Sequence, residues 1–176
     1  MPSGVRHTQI NLALALTGGA ALAYAYSPAA GCVLAGSAIL GDLFGSPDLD
    51  QECSDALRRW WYVRWIWRPY SHLRHRSPLS HGPILADAIR LVYLAAVLSV
   101  AWLVVGSFWQ GPSRAVVNLF WAGDWIAGFL AAHSTLSLAA FGGLVLATTQ
   151  HCVADWAVSE AKGAIKDWSP PKRKRK

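Results

Sequence analysis

TQINLALALTGGAALAYAYSPAAGCVLAGSAILG, residues 8–41, decides the fold, because no side chain in it is charged at neutral pH. Ser27-Pro28 and Gly31 interrupt the run and predict a tight turn between two helices. The segments on either side, residues 8–26 and 29–44, each approach the roughly 17 to 25 residues that cross a hydrocarbon core. The run therefore predicts two membrane-spanning helices.

The apolar pattern continues through a chain of 176 residues, of which 53% are hydrophobic and only 15% charged. A third uncharged run predicts a span at 90–110. The next apolar region, residues 115–154, holds Asp124 as its only full charge and is too long for one simple span. We interpret it as a surface-lying or tilted helix at 116–132 that leads into a span at 134–151. The sequence thus predicts an all-α membrane bundle of about four transmembrane helices.

Basic residues set the predicted orientation. Six arginines lie in the loop at residues 45–88, and five of the seven residues 170–176 are basic. By the positive-inside rule both segments are cytoplasmic, and four spans satisfy this with both termini on that side. We therefore expect an integral membrane protein with its loop and both termini on the cytoplasmic side. Residues 1–169 would form a single helical domain, followed by the basic tail at 170–176.

The loop also contains an aromatic and basic segment, Trp60 to Tyr70. Trp and Tyr favour the headgroup layer and arginine binds lipid phosphate, so this segment predicts contact with the cytoplasmic membrane surface. The tail at Lys172–Lys176 is interpreted in the same way, each basic residue contributing about 1 kcal/mol near an anionic surface. Nucleic-acid binding uses the same residue types and is less favoured. Membrane lipids are the predicted partners.

Side chains that bind metal ions gather at the predicted cytoplasmic face. His7 precedes the first span, and His151 and Asp155 follow the last one. These last two residues are four apart and therefore share one helical face. The loop contributes five more donors: Asp48, Asp50, His72, His75 and His81. Such convergence at one depth is not expected of a membrane chain with few charges, so the pattern indicates a metal site.

The donors differ in how well another role explains them. His7 is balanced between a ligand and an interfacial residue, and His72 and His133 are better explained as packing or surface residues. Asp124 is a candidate site residue by its depth, with no partner visible in the sequence. A metal role is favoured over packing or capping for the remaining six: Asp48, Asp50, His75, His81, His151 and Asp155.

Local chain geometry and ligand type refine this prediction. Asp48 and Asp50 share one side if the chain is extended there, and Pro47 favours an extended or turn conformation at Ser46. A mixture of imidazoles and carboxylates suits zinc, with manganese, iron and magnesium also compatible. The donors suffice for one ion and leave a second open.

Taken in order, these motifs resemble the family of uncharacterised bacterial and cyanobacterial metal-binding membrane proteins over nearly the whole chain. That family is similar in its His/Asp pattern to membrane-bound metal-dependent hydrolases of the inner membrane, and more distantly to zinc-dependent phospholipase C and P1-type nucleases. The resemblance implies an all-helical fold with ligands at helix ends, in the bacterial inner membrane or a cyanobacterial membrane. It rests on MPSG with His7, SPDLD at 46–50, WIW with Pro69-Tyr70, HRS and LSH at 75–81, and His151 with Asp155. The ligands it implies are His7, Asp48, His75 or His81, His151 and Asp155.

Two functions remain open at this stage. As an enzyme, the protein would hydrolyse a phosphoester such as a phospholipid or lipid-linked phosphate, with Asp48 or Asp50 as ligand or general base. Arg74 and Arg76 would then bind the substrate phosphate. Alternatively, a structural ion would stabilise a loop that lacks a core of its own, in a scaffold or a subunit with membrane-protein partners. The resemblance puts the hydrolase slightly ahead.

Overall fold

The computed structural model describes residues 4–51, 53–73 and 77–168, with side chains over 6–51, 53–73 and 77–161. Every regular element in these residues is a helix, which confirms the all-helical fold. Five helices are long: α1 (Gly4–Ala25), α2 (Pro28–Phe44), α5 (Leu85–Gln110), α6 (Pro112–Ala132) and α7 (Ser134–Trp168). Between α2 and α5 lie the short α3 (Asp55–Arg59) and α4 (Pro78–His81), and 3-10 helices at Pro47–Asp50, Trp61–Trp67 and Tyr70–His72.

Small residues allow α2 to approach both α1 and α7 closely. A Cβ added at Gly31 of α2 would overlap the carbonyl oxygen of Gly19 on α1. A Cβ at Gly143 of α7 would overlap the carbonyl oxygen of Leu34 and lie 2.9 Å from the amide nitrogen of Ala38. Close backbone approach of this kind is how apolar helices associate in a lipid environment. These three helices form the centre of the bundle.

We expect Gly143→Ala to lower the free energy of unfolding by about 1–3 kcal/mol, because its methyl group enters space that the α2 backbone occupies. Gly142 offers a matched control, since a Cβ there meets no atom within 4 Å. Thermal unfolding in detergent, followed by far-UV circular dichroism, compares the two alanine variants. Equal midpoints would contradict the close packing of α7 on α2.

Four stretches are long and apolar enough to cross a membrane: Pro28–Asp50, Leu85–Gln110, Pro112–Ala132 and Ser134–Ala161. This set differs from the predicted spans at two helices. It includes α6, which the sequence predicted as a surface-lying or tilted helix, and it omits α1, whose first turns carry polar side chains such as Arg6 and Asn11. The last helix also continues well beyond the predicted end at residue 151.

The ends of α6 lie at the side of the bundle away from His7. The Tyr26 hydroxyl, just after α1, is 3.4 Å from the Thr135 hydroxyl, so α7 begins where α1 ends. The Cys152 thiol lies 3.2 Å from the carbonyl oxygen of His81, so α5 begins beside the later part of α7 and runs towards its start. Since α6 joins the end of α5 to the start of α7, this arrangement favours a helix along the far surface over a further crossing.

The segment between α2 and α5 has a small core, contrary to the expectation of a loop without one. Its buried residues are Leu49, Ala56, Leu57, Trp67 and Tyr70. The aromatic segment therefore divides into rings that point inward and rings that stay exposed. The exposed rings, Trp61, Tyr62 and Trp65, remain available for a membrane surface.

Candidate metal centre

His7, His151 and Asp155 bring the start of the chain against the last helix. His7 Nε2 lies 3.2 Å from Asp155 Oδ1, and His151 Nε2 lies 4.0 Å from Asp155 Oδ2. The two imidazole rings are stacked, with centroids 4.3 Å apart. Each of the three residues is at most 5% exposed. His151 and Asp155 thus lie on one face of α7, as their spacing predicts, and both face His7.

Asp48 and His81 extend this group. His151 Nε2 lies 3.5 Å from Asp48 Oδ2, and the His81 and His151 ring centroids are 6.2 Å apart. The ligand atoms of His7, His151 and Asp155 all lie within 4.8 Å of one another, as do those of Asp48, His81 and His151. Because His151 belongs to both groups, five side chains converge on one small volume. We call these five residues the metal cluster.

A 3-10 helix, rather than extended chain, carries Asp48 and Asp50. Ser46 precedes it at φ −53° and ψ 145°, accepts a hydrogen bond from the Asp48 amide, and is followed by Pro47 at the first helical position. At three residues per turn, side chains two positions apart diverge by about 120°. The extended conformation that would place the two aspartates on one side is therefore not the one found, and the chain takes the turn that the sequence left open. Asp48 faces α7, whereas Asp50 Oδ2 lies 3.8 Å from His81 Nδ1.

Asp50 and Ser80 both contact the Nδ1 side of the His81 ring. Ser80 Oγ is 2.9 Å from His81 Nδ1, and Ser80 is fully buried. Contacts at one ring nitrogen fix the orientation of the imidazole and direct the other nitrogen towards a metal. The geometry thus gives Asp50 an orienting role, in addition to the ligand or base roles predicted from the sequence.

We expect Asp50→Ala to weaken zinc affinity by about tenfold to a hundredfold without changing the number of ions bound, the usual effect of losing a group that orients a ligand. Asp124→Ala serves as the control, because Asp124 is an exposed carboxylate on α6. Competition with a chromogenic chelator measures the affinity of each variant. An Asp50→Ala affinity equal to that of the control would remove Asp50 from the site.

Two buried nitrogens test whether the cluster fits a metal ion. His7 Nδ1 and His151 Nε2 form no hydrogen bond with any residue that the structure describes. Leaving a polar atom buried in this way costs about 1–3 kcal/mol. Burial and the neighbouring His151 ring lower the pKa of His7, so its imidazole is neutral at pH 7, the form that binds metals. The cluster therefore fits a divalent cation.

A cavity of about 250 Å³ opens onto the metal cluster. Its wall includes Asp42 and Arg59, which the sequence reasoning did not single out. Asp42 is 6% exposed, and its Oδ2 has no hydrogen-bond partner in the described part of the chain. The guanidinium of Arg59 donates to the carbonyl oxygen of Leu43 at 3.2 Å. The cavity thus combines a buried carboxylate and a cation beside the cluster.

The remaining predicted donors lie apart from the cluster or outside the described residues. Arg74, His75 and Arg76 lie outside, as does the tail at 172–176. His72 is exposed, with Nδ1 2.9 Å from the carbonyl oxygen of Arg68. His133 and Asp124 are exposed at the end and in the middle of α6.

Two comparisons bear on this site. The family model of the uncharacterized metal-binding protein family (DUF2227) matches residues 2–164. A protein of Aquifex aeolicus (strain VF5), described as an uncharacterized protein, is 34% identical over 56 residues. That alignment covers 32% of this chain and 40% of the relative, so the chain spans well under two thirds of that protein. No solved structure matches the chain.

Proposed function

Because this chain belongs to the family of uncharacterized metal-binding proteins (DUF2227), we propose that its metal cluster is the site that holds the ion. The observation that carries this proposal is the convergence of three imidazoles and two carboxylates, of which His7, His151 and Asp155 are buried and the other two are partly buried. Imidazole-rich sites of this kind favour zinc, with manganese and iron next and magnesium last. The proposed ligands are His7, Asp48, His81, His151 and Asp155. His75 stays a predicted ligand outside the described residues.

The cavity supports a catalytic use of the ion, the hydrolysis of a phosphoester. A bound divalent ion supplies Lewis-acid chemistry, since it acidifies water and neutralises charge on phosphoryl oxygens. On the cavity wall, Asp42 has a carboxylate oxygen that forms no hydrogen bond with any described residue, and this oxygen can take up a proton as general base. Arg59 can bind an anionic substrate oxygen on the same wall. The phosphate-binding role predicted for Arg76 lies outside the described residues.

A second function, a structural ion, is supported by where the ligands come from. They belong to α1, α4, α7 and the 3-10 helix at Pro47–Asp50, so one ion would link the two ends of the chain to the segment between α2 and α5. Binding energy at such a site is folding energy. In this case the protein would act as a scaffold or as a subunit with membrane-protein partners.

Metal removal separates the two functions. The detergent-purified protein is assayed with phosphodiester, phosphomonoester and phospholipid substrates before chelation, after chelation and after zinc is restored. The hydrolase proposal predicts that turnover disappears on chelation and returns with zinc, while the helical circular dichroism signal is retained throughout. It also predicts that Asp42→Asn keeps the metal but loses turnover. Absence of turnover from a fully loaded protein, together with loss of helical signal on chelation, would contradict the hydrolase and support the structural ion.

We also propose that the metal cluster lies at the cytoplasmic face of a bacterial membrane, which the six arginines of the segment 45–88 support. Cys53 is exposed near the cluster, and Tyr24 is 96% exposed at the opposite end of α1. In a background with Cys32 and Cys152 changed to serine, an impermeant thiol reagent should label Tyr24→Cys in intact cells and leave Cys53 unlabelled. Labelling of Cys53 from outside would reverse the proposed orientation.

A further inference from the structure

An apolar groove of about 610 Å³ follows one face of α5. Its floor runs from Tyr93 through Val97 and Ala101 to Val105, at the spacing of residues on one helical face. Trp65, Ile66 and Pro69 close the groove at the Tyr93 end, where the Tyr93 hydroxyl donates to the carbonyl oxygen of Ile66. From Tyr93 to Val105 the helix rises about 18 Å. The groove is therefore about as long as one leaflet of a ~30 Å hydrocarbon core is thick.

A second cavity, of about 240 Å³, lies against the same aromatic segment that closes this groove. Trp65 lines both spaces. The wall of the second cavity includes Arg64, Arg68 and Ser71, and the structure describes no ion pair for either arginine. Two guanidinium groups that form no ion pair with a described carboxylate are suited to bind an anionic phosphate.

The second cavity shares one lining residue, Cys53, with the cavity of the metal cluster. Single residues thus link the apolar groove to the cationic pocket and the cationic pocket to the metal cavity. An apolar tail and an anionic head joined in one molecule match the groove and the cationic pocket.

We infer that the chain binds one anionic phospholipid, with an acyl chain in the α5 groove and its phosphate between Arg64 and Arg68. The groove lies on a helix that is long and apolar enough to cross a membrane, so its occupant comes from the bilayer. The exposed guanidinium groups in the wall of the second cavity select a negative headgroup over a zwitterionic one, because a quaternary ammonium group would be repelled. This binding does not require that the metal cluster be catalytic. If the cluster is a hydrolase site, the bound phospholipid belongs to its substrate class.

Native mass spectrometry in a nonionic detergent counts the phospholipids that stay bound to the full chain. With phosphatidylglycerol as the probe, we expect one tightly bound lipid and at least tenfold weaker binding of phosphatidylcholine. The double variant Arg64→Gln/Arg68→Gln should weaken phosphatidylglycerol binding at least tenfold. The control Arg58→Gln/Arg114→Gln removes the same charge from two exposed arginines outside the cavity and should change affinity less than twofold. Equal affinities of the two double variants would overturn the phosphate site.

The groove is tested separately by filling it. Ala101→Phe places a ring in the groove, whereas Ala95→Phe places the same ring on the opposite side of α5 at an equally exposed position. We expect only the first variant to lose the bound lipid. Full binding by Ala101→Phe, or displacement of the lipid by glycerol 3-phosphate alone, would overturn a phospholipid site and indicate a soluble phosphate ligand instead.

Metal analysis of the same samples distinguishes this inference from the proposed function. The arginine and Ala101 variants should keep the metal content of the wild type, since none of these residues belongs to the metal cluster. Loss of lipid with metal retained supports the lipid site, whatever the outcome of the phosphoesterase assay. Loss of both in every variant, with a lowered unfolding temperature, would show damage to the fold and overturn the assignment of these residues to a lipid site.

Discussion

His151→Ala is expected to abolish stoichiometric metal binding. The Nε2 atom of this residue faces Asp48 at 3.5 Å and Asp155 at 4.0 Å, and its ring stacks on that of His7. It is also the residue that joins the two groups of ligand atoms. Its removal therefore deletes one ligand and the contact that holds the groups together. Equilibrium dialysis against zinc should give less than about a tenth of an equivalent per chain at a concentration that saturates the wild type. Each tenfold loss of affinity corresponds to about 1.4 kcal/mol of binding free energy.

The matched control is His133→Ala. His133 is an exposed histidine at the end of α6, far from the cluster along α7. This variant should bind as much zinc as the wild type, with unchanged affinity. Stoichiometric zinc in His151→Ala, or an equal loss in both variants, would mean that the ion binds elsewhere.

Arg90→Leu is expected to lower the free energy of unfolding by about 3–5 kcal/mol, the usual cost of removing one partner of a buried ion pair. Arg90 is 5% exposed, donates to Asp87 on the same helix, and donates to the Thr148 hydroxyl of α7 at 2.7 Å. The Thr148 hydroxyl in turn donates to Asp87 at 2.9 Å. Without Arg90, the Asp87 carboxylate stays buried with only the hydroxyl to compensate it.

Thermal and denaturant unfolding in detergent measure this effect. Arg114→Leu, at an exposed position on α6, should leave stability nearly unchanged. The double variant Asp87→Leu/Arg90→Leu should recover much of the loss, because it no longer buries a lone charge. If Arg90→Leu were as stable as the wild type, Arg90 and Asp87 would not be an isolated buried pair.

Charge-free runs predict the long helices because an apolar stretch of that length has few other stable conformations in a membrane chain. Which rings of the aromatic segment are buried and which are exposed was not predictable in the same way. Trp and Tyr suit both an interface and a core, so their pattern did not reveal that Trp67 and Tyr70 turn inward while Trp61 and Trp65 stay exposed. The helix contact at Gly143 likewise depends on which faces of α2 and α7 meet. The local sequence around Gly143 does not determine this.

The donors of the metal cluster were predictable because imidazoles and carboxylates are rare beside such apolar segments. The helical spacing of His151 and Asp155 fixed their shared face. Asp48 and Asp50 were expected on one side only for an extended chain, and the sequence did not decide between that conformation and the turn that separates them. Asp42 was missed, although it is the single acidic residue of α2. An ionisable residue within an apolar span is a candidate site residue, and this argument, applied to Asp124, would have selected Asp42 as well.

Elemental analysis of the detergent-purified wild-type protein, with metal counted per chain, tests the metal cluster most directly. The arrangement of His7, Asp48, His81, His151 and Asp155 predicts one or two equivalents of a divalent metal, with zinc the first expectation. Metal at background level, even after the chelated protein is reloaded with zinc, manganese, iron and magnesium in turn, would contradict it.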